Sequence, residues 1–196
     1  MRLGFHLAPG MRVGLYGGTF DPAHAGHAQV AETARRRLGL DRVIWLVTSG
    51  NPLKTVGGAA PLEKRLAGAA ARTRGPRSMV SDAERRLGAR YTLDAVRRLK
   101  ARFPAVRFVW IMGADNLAAF HLWRGWTTLL KEIPVAVVSR PGLAMKSRFS
   151  PMARRFAGAR LAAGAARRLA TAPPPAWIYL TAPFNHASAT ALRDCA

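Results

Sequence analysis

His24 and His27 stand three residues apart at the end of Gly17-Gly18-Thr19-Phe20-Asp21-Pro22-Ala23-His24-Ala25-Gly26-His27. The segment links an apolar run to a helix-like one. With a helix beginning near His24, both imidazoles share one face and point to the end of the preceding strand. Gly17 and Gly18 at that strand end let the backbone come close to a ligand and aim N–H groups at it, as phosphate cradles do. The pattern is neither GxGxxG nor a Walker sequence. Two histidines at this spacing can also hold a metal, but the segment has no Cys, and its only carboxylate, Asp21, sits in a turn with Pro22. Gly26 and His27 open the helix, where its dipole favours an anion.

A second anion-binding pattern lies near the other terminus, in Ser188-Ala189-Thr190-Ala191-Leu192-Arg193. Ser188 can cap a short helix running to Arg193, so that open N–H groups, two hydroxyls and a guanidinium face one anion.

These residues need a frame, and the apolar pattern supplies one. Short runs at Val13–Tyr16, Val43–Val47, Val106–Met112, Ile133–Val138 and Trp177–Leu180 read as buried strands. Helix-like stretches lie between them, at Ala25–Leu38, Leu62–Arg72, Thr92–Arg102 and Ser150–Leu169. Strands separated by helices indicate βαβ units, hence an α/β fold with a doubly wound, Rossmann-like parallel sheet and helices on both faces. Residues 1–196 are expected to form a single domain. Ligands of such sheets sit at the carboxyl ends of the strands. That rule draws attention to Asn51 and Lys54, to Gly113 and Asp115, and to Arg140, each of which follows a strand.

The charge is lopsided: 31 Lys and Arg against 10 Asp and Glu, a net +21, with no acidic residue from Ile133 through Arg193. With 49% hydrophobic residues, that charge is carried on a folded body, and it calls for an anionic partner: nucleic acid, an acidic membrane surface or a phosphorylated small molecule. Arg outnumbers Lys 26 to 5, which points to compositional bias for part of the excess. The only cysteine, Cys195, excludes an intramolecular disulfide framework and a multi-Cys zinc site. No run approaches the ~20 apolar residues that span a bilayer, and the N-terminal run is broken by Pro9 and Gly10, so a cytoplasmic protein is expected. Aromatic and basic residues are not interleaved as in a nucleic-acid surface, and no membrane partner is expected. The Arg/Ala-rich stretch Met145–Leu169 is read as a helical solvated face able to fasten a homo-oligomer.

Gly17–His27 resembles the GGxFDPxHxGH signature of the nucleotidylyltransferase superfamily, and Ala187–Arg193 is similar to its ISSTxxR element, with Ala187 and Ala189 replacing Ile and the second Ser. Gly113-Ala114-Asp115 resembles the G-x-D segment of the pyridine-nucleotide adenylyltransferases, Tyr91-Thr92 their Y-T element, and Asn51-Pro52-Leu53-Lys54 their N-x-P-x-K/R loop, with Leu53 where His is common. The resemblance implies adenylyl transfer from ATP to nicotinate mononucleotide, yielding deamido-NAD and pyrophosphate without a covalent intermediate. It implies that Gly17, Gly18, Thr19, Phe20, His24, His27, Gly113, Asp115, Ser188, Thr190 and Arg193 bind ATP, and that His24, His27 and Arg193 are catalytic. It further implies that Asn51, Lys54, Tyr91, Thr92, Trp123 and Arg140 bind the acceptor, with Trp123 stacking on its ring and Trp126 in the core. Mg²⁺ is expected to travel mainly on the ATP phosphates, with no metal-ligating side chains. The alternatives are a nicotinamide-mononucleotide or phosphopantetheine adenylyltransferase and, in another class, a basic nucleic-acid-binding protein.

Overall fold

Residues Arg12–Gly18 form the central strand β1, and their side chains alternate between two apolar layers: Val13 and Leu15 enter one, Tyr16 the other. Burial on both faces requires apolar residues at nearly every position, which is why the strands read as continuous runs. In the computed structural model, which describes residues 3–48, 59–73, 75–139 and 149–182, the chain continues through α1 (Ala25–Leu38), β2 (Arg42–Val47), α2 (Leu62–Ala70), β3 (Ser78–Ser81), α3 (Ala83–Arg86) and α4 (Thr92–Arg102). There follow β4 (Arg107–Gly113), α5 (Ala114–Ala119), α6 (Trp126–Glu132), β5 (Val135–Ser139), α7 (Pro151–Arg155), β6 (Arg160–Leu161) and β7 (Trp177–Thr181). Among the described residues, no helix is long and apolar enough to cross a membrane.

The strands form one seven-stranded sheet in the order β3-β2-β1-β4-β5-β7-β6, with every pairing parallel. The chain winds outward from β1 through β2 and β3, then returns to the other side of β1 with β4. The order therefore reverses between β1 and β4, and their carboxyl ends, Gly17-Gly18 and Gly113, flank the crevice that such a reversal opens. One core layer packs Leu15, Leu46, Trp110 and Met112 against Val96, Leu99, Leu117 and Phe120; the other packs Tyr16, Trp45 and Ile111 against Val30, Ala34 and Leu38.

The expected helix over Ser150–Leu169 is not formed. The stretch is broken into α7, a 3-10 turn at Ala157–Ala159, the two residues of β6 and a 3-10 segment at Ala163–Thr171. Ala and Arg favour a helix, but Gly158 and Gly164 interrupt them, and Arg160 and Leu161 bond to Trp177 and Ile178 as an edge strand. The indole N–H of Trp177 also donates to the Phe156 carbonyl at 2.7 Å, which fixes the break. β3, α3, α5 and α6 carry too few residues to show a period and were not expected.

Candidate active site

The turn after β1 is held from below. Phe20 adopts a left-handed backbone, φ +49°, which costs a non-glycine residue about 1–2 kcal/mol, and its buried ring repays that by packing at 5.2 Å from Tyr16 and 5.0 Å from Trp45. Arg65, only 4% exposed, spends its guanidinium on three backbone carbonyls: Ala60 at 2.8 Å, Thr19 at 3.0 Å and Thr48 at 2.7 Å. The Asp21 carboxylate accepts from the Ala60 N–H at 2.9 Å. The turn, the end of β2 and the start of α2 are thus tied at one point.

His24 is the N-cap of α1 and His27 its third residue. Nδ1 of His24 accepts from the Gly26 N–H at 3.1 Å, and Nδ1 of His27 accepts from the His24 N–H at 3.2 Å. This is a capping box built from two imidazoles. A ring nitrogen that accepts carries no proton, so the hydrogen bonds assign the proton of each ring to Nε2. The rings lie tilted at 37° to each other with centroids 3.9 Å apart, and His27 sits edge-on to Phe20 at 5.1 Å.

Gly17 has a packing reason as well as a ligand one: a Cβ there would fall 2.2 Å from the Trp110 indole. At the end of β4, Gly113 takes the N-cap position of α5, and the Asp115 carboxylate folds back over it, so that a Cβ on Gly113 would lie 2.3 Å from Oδ1. Asp115 is the second residue of α5, not its cap.

Across the crevice Tyr91 caps α4 and Thr92 opens it. The Arg124 guanidinium lies over the Tyr91 ring at 4.8 Å and donates to its hydroxyl at 3.2 Å. Trp123 is half-buried against Phe120 and Trp110, with centroids 5.2 and 6.2 Å away. Trp126 packs instead on Phe120 and Phe156.

These parts enclose a cavity of about 490 Å³, within the range of small-molecule sites. Its walls include Gly17, Gly18, Thr19, Phe20, His24 and His27 from the turn after β1, Tyr91, Thr92 and Trp123, and Asp115 and Asn116 on α5. Trp126 is not among its walls. Of the residues expected to bind, Asn51, Lys54, Arg140, Ser188, Thr190 and Arg193 lie outside the described residues. Geometrically the cavity offers helix N-termini, imidazole N–H groups and an indole face, a set suited to an anionic, ring-bearing ligand.

Residues 15–194 match the model of a family described as cytidylyltransferase-like. The chain belongs to this family. A Caulobacter sp. (strain K31) protein named "Probable nicotinate-nucleotide adenylyltransferase" is 61% identical over 183 residues, covering 93% of this chain and 97% of that protein. A protein of the same name from Methylorubrum extorquens is 52% identical over 93% of this chain and 99% of its own length. The fold is shared with the solved structure of Plasmodium falciparum nicotinic acid mononucleotide adenylyltransferase complexed with NaAD, at 13% identity, a TM-score of 0.65 and coverage of 89% of this chain and 77% of that one.

Charged residues at this cavity that escaped the sequence reading are Arg65, Glu84, Arg90 and Arg124. All but Arg65 line the cavity, and Arg65 braces it from behind. Arg90 was adjacent to Tyr91-Thr92 and Arg124 to Trp123, so proximity to a motif was the available signal for both. Arg65 and Glu84 carried none, because a charged residue in a short helix reads as solvated.

Proposed function

We propose that the cavity is the site of adenylyl transfer from ATP to nicotinate mononucleotide, a step of NAD biosynthesis that releases pyrophosphate. The observation that carries this is the imidazole capping box at the head of α1, placed where the sheet order reverses; the 61% identity to a protein of that name supports it. In this reading residues 1–196 act as one nucleotidylyltransferase domain in the cytoplasm.

The acceptor's phosphate oxygen attacks the α-phosphorus in line, and pyrophosphate leaves. A phosphate monoester with a second pKa of about 6 is already nucleophilic near neutral pH, so the protein needs to supply position and charge neutralisation rather than a base. The backbone of Gly17–Phe20 passes along the triphosphate. His24 and His27 donate through Nε2 to its oxygens, with His27 on the α-phosphate where charge develops. Asp115, on the cavity wall, takes the ribose, with Gly113 beside it at the end of β4; Tyr91 and Thr92 take the pyridine carboxylate on the head of α4, and the Trp123 indole stacks on the ring. From the sequence, Ser188, Thr190 and Arg193 hold the departing phosphates, while Asn51, Lys54 and Arg140 meet the acceptor's phosphate.

Among the described residues no three His, Cys, Asp or Glu side chains converge on one point; a Mg²⁺ would come mainly on the ATP phosphates. When bound, that ion neutralises charge on the leaving pyrophosphate.

The test is pyrophosphate release from ATP with nicotinate mononucleotide, beside nicotinamide mononucleotide and phosphopantetheine as acceptors. Preference for the first supports the assignment. Turnover of phosphopantetheine alone, or no turnover together with salt-sensitive RNA binding, overturns it.

A further inference from the structure

Glu84 lines the cavity at 7% exposure, and nothing in the reaction just described uses it. The cations on its own helix are committed elsewhere: Arg85 and Arg86 both turn to Asp82, at 2.6 and 2.5 Å. The Glu84 side chain meets the Thr48 hydroxyl at the end of β2 instead, and no ion pair reaches it among the described residues. Burial pushes this carboxyl up to about 7, with the Thr48 hydrogen bond drawing it partly back. The Glu84 carbonyl accepts from the Ala89 N–H at 2.9 Å, which fastens α3 to the segment leading into Tyr91 and Thr92. The other charged or titratable groups around the cavity are Tyr16 on β1, His24 and His27 at the head of α1, Asp21 in the turn, Arg90 and Tyr91 before α4, Asp115 on α5 and Arg124 beside Trp123.

Resting on the reading of this cavity as an adenylyl-transfer site, we propose that Glu84, when ionised, weakens the preference for an acidic over a neutral acceptor ring. With its proton on, the carboxyl adds no charge to the wall that continues into the Tyr91–Thr92 pocket, and a ring carboxylate is admitted. With its proton off, it places a second negative charge in a half-closed, weakly screened space, and the ring carboxylate is repelled. A neutral ring amide is indifferent to the change. By linkage, a bound ring carboxylate also holds the proton on Glu84.

The experiment is the ratio of kcat/KM for nicotinate mononucleotide to that for nicotinamide mononucleotide between pH 5.5 and 9, in the wild type and in Glu84→Gln. The two acceptors share their phosphate, their ribose, the ATP and the two histidines, so those titrations cancel in the ratio. The wild-type ratio is expected to fall by about tenfold across neutrality, the effect of about 1.4 kcal/mol of repulsion. The Glu84→Gln ratio is expected to stay flat at its acid-side value. A flat wild-type ratio, or a parallel fall in both proteins, overturns the proposal while leaving the site assignment standing. A merely structural Glu84 changes kcat/KM for both acceptors alike and leaves the ratio unmoved, which also overturns it. Turnover of neither acceptor overturns the site assignment itself.

Discussion

The His24 N–H donates to Nδ1 of His27 at 3.2 Å, so the side chain expected to handle phosphate also caps the backbone of its partner. Ser or Asp at the N-cap and Glu at the third position satisfy helix N–H groups in the same way. Imidazoles add a second nitrogen on the far side of the ring, and the cap dictates that this nitrogen holds the proton.

Stability and chemistry are therefore separable by substitution. His24→Asn keeps an acceptor at the N-cap, and its Tm is expected to stay close to wild type, whereas His24→Ala loses about 1 kcal/mol of capping. Both variants lose the Nε2 donor and are expected to lose kcat together. Equal activity of Asn and wild type at this position contradicts a donor role.

His27→Ala is expected to lower kcat by about 100-fold or more with a much smaller change in KM for ATP, because a donor used where charge develops acts on rate. Steady-state kinetics with saturating acceptor measure both. Equal losses in kcat and affinity refute the assignment to the α-phosphate.

Arg65→Met removes a guanidinium that serves the carbonyls of Thr19, Thr48 and Ala60. A loss of about 2–4 kcal/mol is expected, seen as a lower urea midpoint at unchanged slope. Arg65→Lys has a single ammonium in place of the planar fork and is expected to fall between the two.

Gly17 and Gly113, at two strand ends of the crevice, fail differently. Gly17→Ala drives a methyl into the Trp110 ring and is expected to cost about 1–3 kcal/mol of stability. Gly113→Ala meets only the end of the Asp115 side chain, which can swing away; its Tm is expected to hold while KM for ATP rises.

Glu84 also predicts a pH-dependent stability. Its carboxyl ionises near 4.5 in the unfolded chain and at about 7 in the fold, so the folded state holds the extra proton between those values. Stability from this group is complete below pH 4.5 and is lost as pH rises to 7. The Tm of Glu84→Gln minus that of wild type is expected to grow across this window and level off above it. A difference independent of pH contradicts the assignment.

The central strands and the first two long helices were legible because their signals are local. Val43–Val47 is a continuous apolar run, and Ala25–Leu38 follows a glycine-rich turn and closes at Gly39. The Arg/Ala stretch misled because a pairing with β7, which lies outside the stretch, overrode the helix propensity of its residues. Among the cavity walls, His24, His27, Asp115, Tyr91, Thr92 and Trp123 could be found since each belongs to a spaced pattern. Arg65 and Glu84 could not, because their roles depend on burial, and burial of a charged residue on a short helix is settled only when the elements meet.

The reversal of strand order between β1 and β4 has a practical corollary. The turn and helix after β1 carry the histidines on a frame tied down by Arg65, while Tyr91, Arg124 and Trp123 ride on later, separate segments. The segments that carry the histidines are thus separate from those that carry Tyr91, Arg124 and Trp123. Under the proposed function, exchange of residues 90–92 and 122–125 for those of a relative with another acceptor is expected to leave the turn after β1 intact, so that one nucleotide product could be swapped for another on the same fold.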